Sequence, residues 1–152
     1  ILGSIEPLSK KPPLQNLGFK WWEHVTKKLE ERANRMGLTA VQLRVLGELS
    51  RLESKGACEI NQKDLEKALA VTHPTMTEII KRLEKKNAVI CTQSKIDKRY
   101  KKINCTEEYK NIHLELKEMD WEIFNKICKG IPEEHVQIFL KASEKMLENI
   151  EK

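Results

Sequence analysis

Apolar residues recur three or four positions apart along most of this chain, a helical period. Only between residues 88 and 105 does the pattern turn β-rich. Phe19, Trp22, Val25, Leu29, Ala33 and Met36 share one stripe of a helix expected from about Leu17 to Met36 and stopped by Gly37. Thr39 and Gln42 form a capping box for a second helix, which buries Val45, Leu46, Leu49 and Leu52 and ends near Glu53. A loop from Ser54 to Glu59 follows. Asn61 can cap a short third helix burying Leu65, Ala68 and Leu69. Thr72 can cap a fourth, with Pro74 in its first turn, Met76, Ile79, Ile80 and Leu83 facing the core, and Asn87 as a left-handed stop. The opposite face carries Pro74, Thr77, Glu78, Lys81, Arg82 and Lys85. Ala88 to Gln93 and Tyr100 to Cys105 flank a polar turn and read as a hairpin. Thr106 can cap a long helix striped with Ile112, Leu116, Met119, Ile123 and Ile127; about 22 residues at helical rise span roughly 33 Å. Gly130-Ile131-Pro132 breaks it. A last helix carries Val136, Phe139, Leu140, Ser143, Met146 or Leu147, and Ile150.

The first helix and the last two carry more apolar stripe than the middle of the chain can bury, so a partner chain is expected to cover them. The sequence divides accordingly. Residues 1–16, with Lys10-Lys11-Pro12-Pro13 and no helical period, are expected as an extended arm; 17–36 and 107–152 as a helical dimerisation region; and 37–106 as the unit between them.

Charge changes the picture because it is local. Between Lys81 and Lys102 lie nine Lys or Arg against two acids, +7 in 22 residues, whereas the whole chain is +5, so the remainder is net −2. A basic helix and ribbon inside a near-neutral protein suits a phosphate backbone. The apolar share of 39% supplies a core, and 34% charged residues with 6 Gly and 5 Pro suit exposed helix faces. Cys58, Cys91, Cys105 and Cys128 form no C-x-x-C pair, and His113 and His135 have no ligand spacing with any Cys or carboxylate; neither a metal nor any other cofactor is expected. With no run of 18 apolar residues and no signal-peptide core, the expectation is a soluble cytoplasmic protein with reduced thiols and no membrane partner.

Helix, helix, outward-facing helix and two-strand ribbon, in that order, make a winged helix-turn-helix, a mainly α fold with a small β-hairpin wing. With its flanking helices it resembles the MarR family of bacterial transcription regulators. The residues carrying the resemblance are Leu38-Thr39-Ala40-Val41-Gln42-Leu43-Arg44-Val45-Leu46, Asp64-Leu65-Glu66-Lys67-Ala68-Leu69, Val71-Thr72-His73-Pro74-Thr75-Met76-Thr77, and Ile80-Lys81-Arg82-Leu83-Glu84-Lys85-Lys86. Asp97-Lys98-Arg99 and Cys105-Thr106-Glu107-Glu108 complete it. The match runs from about Leu17 to the C-terminus. Asn87 replaces the family's usual Gly after the fourth helix, the loop from Glu53 to Glu59 is longer than common, and Glu78 adds an acid to the outward face.

A helix fits the major groove, with short side chains near its start closest to base edges and cations further along meeting phosphates. His73, Thr75, Thr77 and Glu78 are accordingly candidate base contacts, and Lys81, Arg82 and Lys85 candidate backbone contacts. The alternative for Thr72 and Thr75 is helix capping alone. The resemblance implies that Asp97 orients Arg99 for insertion into the minor groove, with Lys95, Lys98 and Lys101 crowding the same ribbon; the alternative is an exposed salt bridge on a turn, contributing under about 1 kcal/mol. It also implies a small aromatic or anionic effector, for which Trp21, Trp22, His24 and Trp121 are candidates, against ordinary packing. Cys91 and Cys105 sit on opposite strands of the hairpin, nearly equidistant from its tip, so their Cβ atoms could approach bridging distance and make the wing redox-responsive, against two ordinary reduced thiols. The reading as a whole is a homodimeric repressor of transcription that binds double-stranded DNA at an inverted repeat and is released by ligand. The competing class is a protein-interaction module on the same scaffold. No nucleophile with an adjacent base, paired carboxylates or phosphate loop suggests an enzyme.

Overall fold

The computed structural model describes residues 19–150, with side chains from Trp22 onward. The proposed arm, residues 1–16, lies outside the described residues. The element order is α1 (Phe19–Arg35), α2 (Ala40–Ser54), α3 (Gln62–Leu69), α4 (His73–Lys85), β1 (Val89–Gln93), β2 (Lys101–Cys105), a 3-10 turn (Glu107–Tyr109), α5 (Ile112–Cys128) and α6 (Glu133–Ile150). The chain forms two compact units, one ending at Leu116 and the other beginning at Lys117.

The core of the first unit is built around α2, which buries Leu43, Val45, Leu46 and Leu49 on more than one side. Against it pack Leu65, Met76 and Leu83 from α3 and α4, Val89 and Ile103 from the hairpin, and Tyr109 and Ile112 from the segment that follows. The caps of α2 and α3 are the ones expected. Thr39 Oγ1 accepts from the Gln42 amide at 3.2 Å while Gln42 Oε1 accepts from the Thr39 amide at 3.1 Å. Asn61 and Asp64 repeat this arrangement for α3. Asn87 is left-handed as expected, and so is Ala70 at the end of α3, with φ 55 and 52 respectively.

Several expectations are corrected. Thr72 does not cap α4 through its side chain; its hydroxyl donates to Thr75 Oγ1 at 2.9 Å. Ala68 is exposed, leaving Leu65 and Leu69 as the apolar contribution of α3. The long helix from Thr106 does not form as one piece. The Thr106 hydroxyl donates to the Ala88 carbonyl at 3.3 Å, and Tyr109 turns into the core. Ser50, fully buried on α2, donates to the Lys110 carbonyl at 2.6 Å, so that carbonyl is taken by a side chain before the helix begins. His113 Nδ1 lies 2.6 Å from the same hydroxyl. What remains is a 17-residue α5, about 25 Å long.

The strands are antiparallel, with Val89 opposite Cys105 and Cys91 opposite Ile103. Cys91 and Cys105 are therefore diagonal, about 7–8 Å apart by the usual spacing and not suited to bridging. Both are free thiols, and burial pushes both thiol pKa values up. The redox-responsive pair is thus not supported. β2 is also tied outward, the Ile103 amide donating to the Ile60 carbonyl at 2.8 Å.

Candidate nucleic-acid interface

The outward face of α4 and the tip of the hairpin hold the sequence-derived candidates, and each is set by a specific local network. At the start of α4, His73 Nδ1 is 2.6 Å from Glu66 Oε1 and 3.1 Å from Gln62 Nε2. Gln62 donates from Nε2 to Glu66 Oε1 at 2.8 Å and to Thr77 Oγ1 at 2.7 Å, and Thr77 donates to the His73 carbonyl at 2.9 Å. Thr77 is half-buried and its hydroxyl serves this network, whereas His73 and Thr75 are exposed. Glu78 is paired with Arg82 at 3.0 Å, one turn apart. Lys81 and Lys85 are exposed and form no ion pair among the described residues. Lys86 turns away from this face and donates to the Gly37 carbonyl and to Gln42 Oε1, joining the end of α4 to the start of α2.

The hairpin tip is folded around two carboxylates. Glu59, in the loop before α3, accepts from the Ser94 hydroxyl and from the Lys95 amide, the latter at 3.0 Å. Ser94 Oγ in turn accepts from the Ile96 and Asp97 amides at 3.1 and 3.0 Å. These bonds hold the Glu59 carboxyl below the usual carboxylate pKa, the Ser94 hydroxyl contributing most. At the wing base, Glu53 Oε1 accepts from Asn104 Nδ2 and the Cys105 amide at 2.8 and 3.0 Å. The wing is thereby fastened to the helical body at both ends.

Asp97 takes Arg99 in a two-point grip, Oδ1 and Oδ2 accepting from Nε at 3.0 and 3.1 Å and Oδ2 from Nη2 at 2.7 Å. The Asp97 carboxylate also accepts from the Arg99 amide at 3.0 Å. With that guanidinium beside it, the Asp97 pKa is lowered to about 2. Arg99 itself is 81% exposed, so the grip sets its direction without hiding its charge. Lys95, Lys98 and Lys101 are exposed on the same ribbon, and none forms an ion pair among the described residues.

Sequence reasoning missed three residues that build this face. Gln62 and Lys63 belong to α3, and Tyr100 follows Arg99; Lys63 Nζ donates to the Tyr100 hydroxyl at 3.1 Å. Neighbouring polar residues at a cap and an aromatic beside the wing cations were the available signals. Of the effector candidates, the side chain of Trp21 lies outside those described, while Trp22 and His24 are exposed on α1. Trp121 stacks on Phe124 with ring centres 6.0 Å apart.

The MarR family profile matches residues 36–99. A curated relative, the HTH-type transcriptional regulator SarZ of Staphylococcus epidermidis, is 30% identical over 115 residues, covering 76% of this chain and 73% of the relative. Among solved structures, a MepR–DNA complex of S. aureus superposes with a TM-score of 0.71 at 23% identity, covering 86% of this chain and 94% of that one. The reduced form of MarR from E. coli gives 0.70 at 22%, covering 91% and 98%. The chain belongs to the MarR family of winged helix-turn-helix transcription regulators, not to the enzymes.

Proposed function

We propose that this protein is a homodimeric, sequence-specific DNA-binding regulator in which α4 enters the major groove and the wing places Arg99 in the minor groove. The observation that carries the reading is the Asp97–Arg99 pair at the tip of a ribbon bearing exposed Lys95, Lys98 and Lys101. An arginine already oriented loses less conformational freedom on entering a narrow groove of high negative potential. On α4, His73, Thr75 and Glu78 are the proposed base contacts, with Thr77 fixing His73 from behind. The Glu78 carboxylate is an acceptor suited to the amino groups of adenine or cytosine. Lys81, Arg82 and Lys85 are proposed to meet phosphates. MepR, of the same fold and solved as a complex with DNA, supports DNA binding as the use of this fold.

Residues 37–106 form the DNA-binding unit in this reading, and 17–36 with 107–152 the dimerisation region. Leu140, Leu147 and Ile150, spaced like a helix-packing seam along α6, are 36%, 58% and 82% exposed in a single chain, and Ile138 and Met146 beside them are exposed as well. A second copy is the proposed cover, and the two-fold axis makes the DNA site an inverted repeat. Control by a small aromatic or anionic ligand, relieving repression, is proposed to act through Trp21, Trp22 and His24 on α1. The test is selection of bound duplexes from random DNA by the full chain, followed by a ligand screen against the winning duplex. The reading requires a dyad-symmetric consensus, and a pool without one would overturn the dimeric mode.

A further inference from the structure

Asp97 is only one side of the hold on Arg99. The Arg99 guanidinium carbon lies 5.8 Å from the centre of the Tyr100 ring, within cation–π range. In-plane bonds to Asp97 and an aromatic ring near the guanidinium are complementary restraints, and Asp97 occupies only the Nε and one Nη2 proton of five. Tyr100 is itself fixed. Its amide donates to the Asp97 carbonyl at 3.0 Å, its carbonyl accepts from the Ser94 amide at 3.1 Å, and its hydroxyl accepts from Lys63. Lys63 Nζ, 5.0 Å from the ring centre, sits by the hydroxyl end of the ring.

Lys63 follows Gln62 in the first turn of α3, and the two residues reach different partners. Gln62 holds Thr77 of α4, and Lys63 holds Tyr100 of the wing. One turn of α3 thus spaces the two elements proposed to read DNA. Between them lies a groove of about 200 Å³ lined by Gln62, Lys63, His73, Arg99 and Tyr100 among others.

We infer that Tyr100 is a positioning residue for Arg99, whose ring, anchored to α3 through Lys63, sets how sharply the wing discriminates A·T from G·C pairs in the minor groove. The inference rests on the minor-groove reading of Arg99. The experiment measures affinity of the full chain for a duplex selected by the wild-type protein, and for copies in which the A·T pairs flanking the dyad become G·C or inosine·C. Inosine·C keeps the minor groove free of the guanine amino group, so it separates groove reading from base-edge reading.

Tyr100→Leu and Tyr100→Gln are each expected to reduce the A·T over G·C ratio by about two- to fivefold, the range of one cation–π contact. Tyr100→Phe, which keeps the ring, should restore most of it, and inosine·C should behave as A·T. In an Arg99→Ala background the Tyr100 substitutions should have no further effect. Because each ratio compares two duplexes on one protein preparation, partial unfolding cancels, and melting by circular dichroism identifies a variant that has lost its fold. If Tyr100→Leu and Tyr100→Gln keep the wild-type ratio while Arg99→Ala loses it, Tyr100 is not a positioning residue and the Arg99 reading stands. If Arg99→Ala keeps the ratio, both fail. If the Tyr100 substitutions still act without Arg99, Tyr100 acts on DNA directly and the inference is overturned.

Discussion

Asp97 and Arg99 stand two residues apart, and their pairing makes the first prediction at the scale of single side chains. The Asp97 pKa is depressed to about 2, so its contribution to the wing is complete above its ordinary value near 3.8 and is lost as pH falls through about 2. Carboxyl carbon shifts should show Asp97 titrating with a midpoint near 2, returning toward 3.8 in Arg99→Ala; an unshifted midpoint in the wild type would mean the pair does not form. In DNA binding, Arg99→Ala should cost about 1–3 kcal/mol of specific affinity, and Asp97→Ala less. The Asp97→Ala effect should largely vanish in the Arg99→Ala background, because a residue that acts through another is non-additive with it. This pair was legible as two residues of the right kind at the right spacing. Thr77 was legible only as an exposed polar position, since its bonds to Gln62 and the His73 carbonyl depend on how α3 meets α4. The cysteines failed for a related reason: counting from the tip set Cys91 opposite Cys105, whereas the strand register pairs Cys91 with Ile103.

Ala70 and Asn87 close α3 and α4, and both do so with left-handed backbones. A side chain there costs roughly 1–2 kcal/mol where glycine costs little. Ala70→Gly is therefore expected to raise stability, by up to about 1 kcal/mol once the extra freedom of the unfolded chain is deducted, read as a shift in the denaturant midpoint. A destabilised Ala70→Gly would show that the methyl group packs where the backbone argument gives it no role. Helix starts were legible where a cap uses residues within one turn, as at Thr39 with Gln42 and Asn61 with Asp64. They were not legible at Thr72 and Thr106, whose hydroxyls go to Thr75 and to the Ala88 carbonyl instead. The broken start of α5 follows from Ser50, a single small polar residue in the middle of α2 that the sequence leaves without an evident task.

For the whole molecule, the stripe of Leu140, Leu147 and Ile150 on α6 predicts that light scattering at micromolar concentration reports twice the 17.7 kDa chain mass. A folded monomer at that concentration would contradict it. This surplus was legible in the sequence as apolar period, and among the described residues the stripe on α6 is left exposed. The concentration of +7 between Lys81 and Lys102 was equally legible, as charge does not depend on packing. Its consequence is ionic: Lys81→Ala, at a proposed phosphate contact, should weaken all duplexes alike and flatten the slope of log affinity against log salt by about one. The measurement that tests the central claim most directly is the affinity of the full chain for its selected duplex and for a scrambled duplex of equal composition, followed across salt concentration. The account predicts at least about a thousandfold preference for the selected duplex near physiological salt, with both affinities falling steeply as salt rises. Equal affinity for the two duplexes, or binding indifferent to salt, would contradict it.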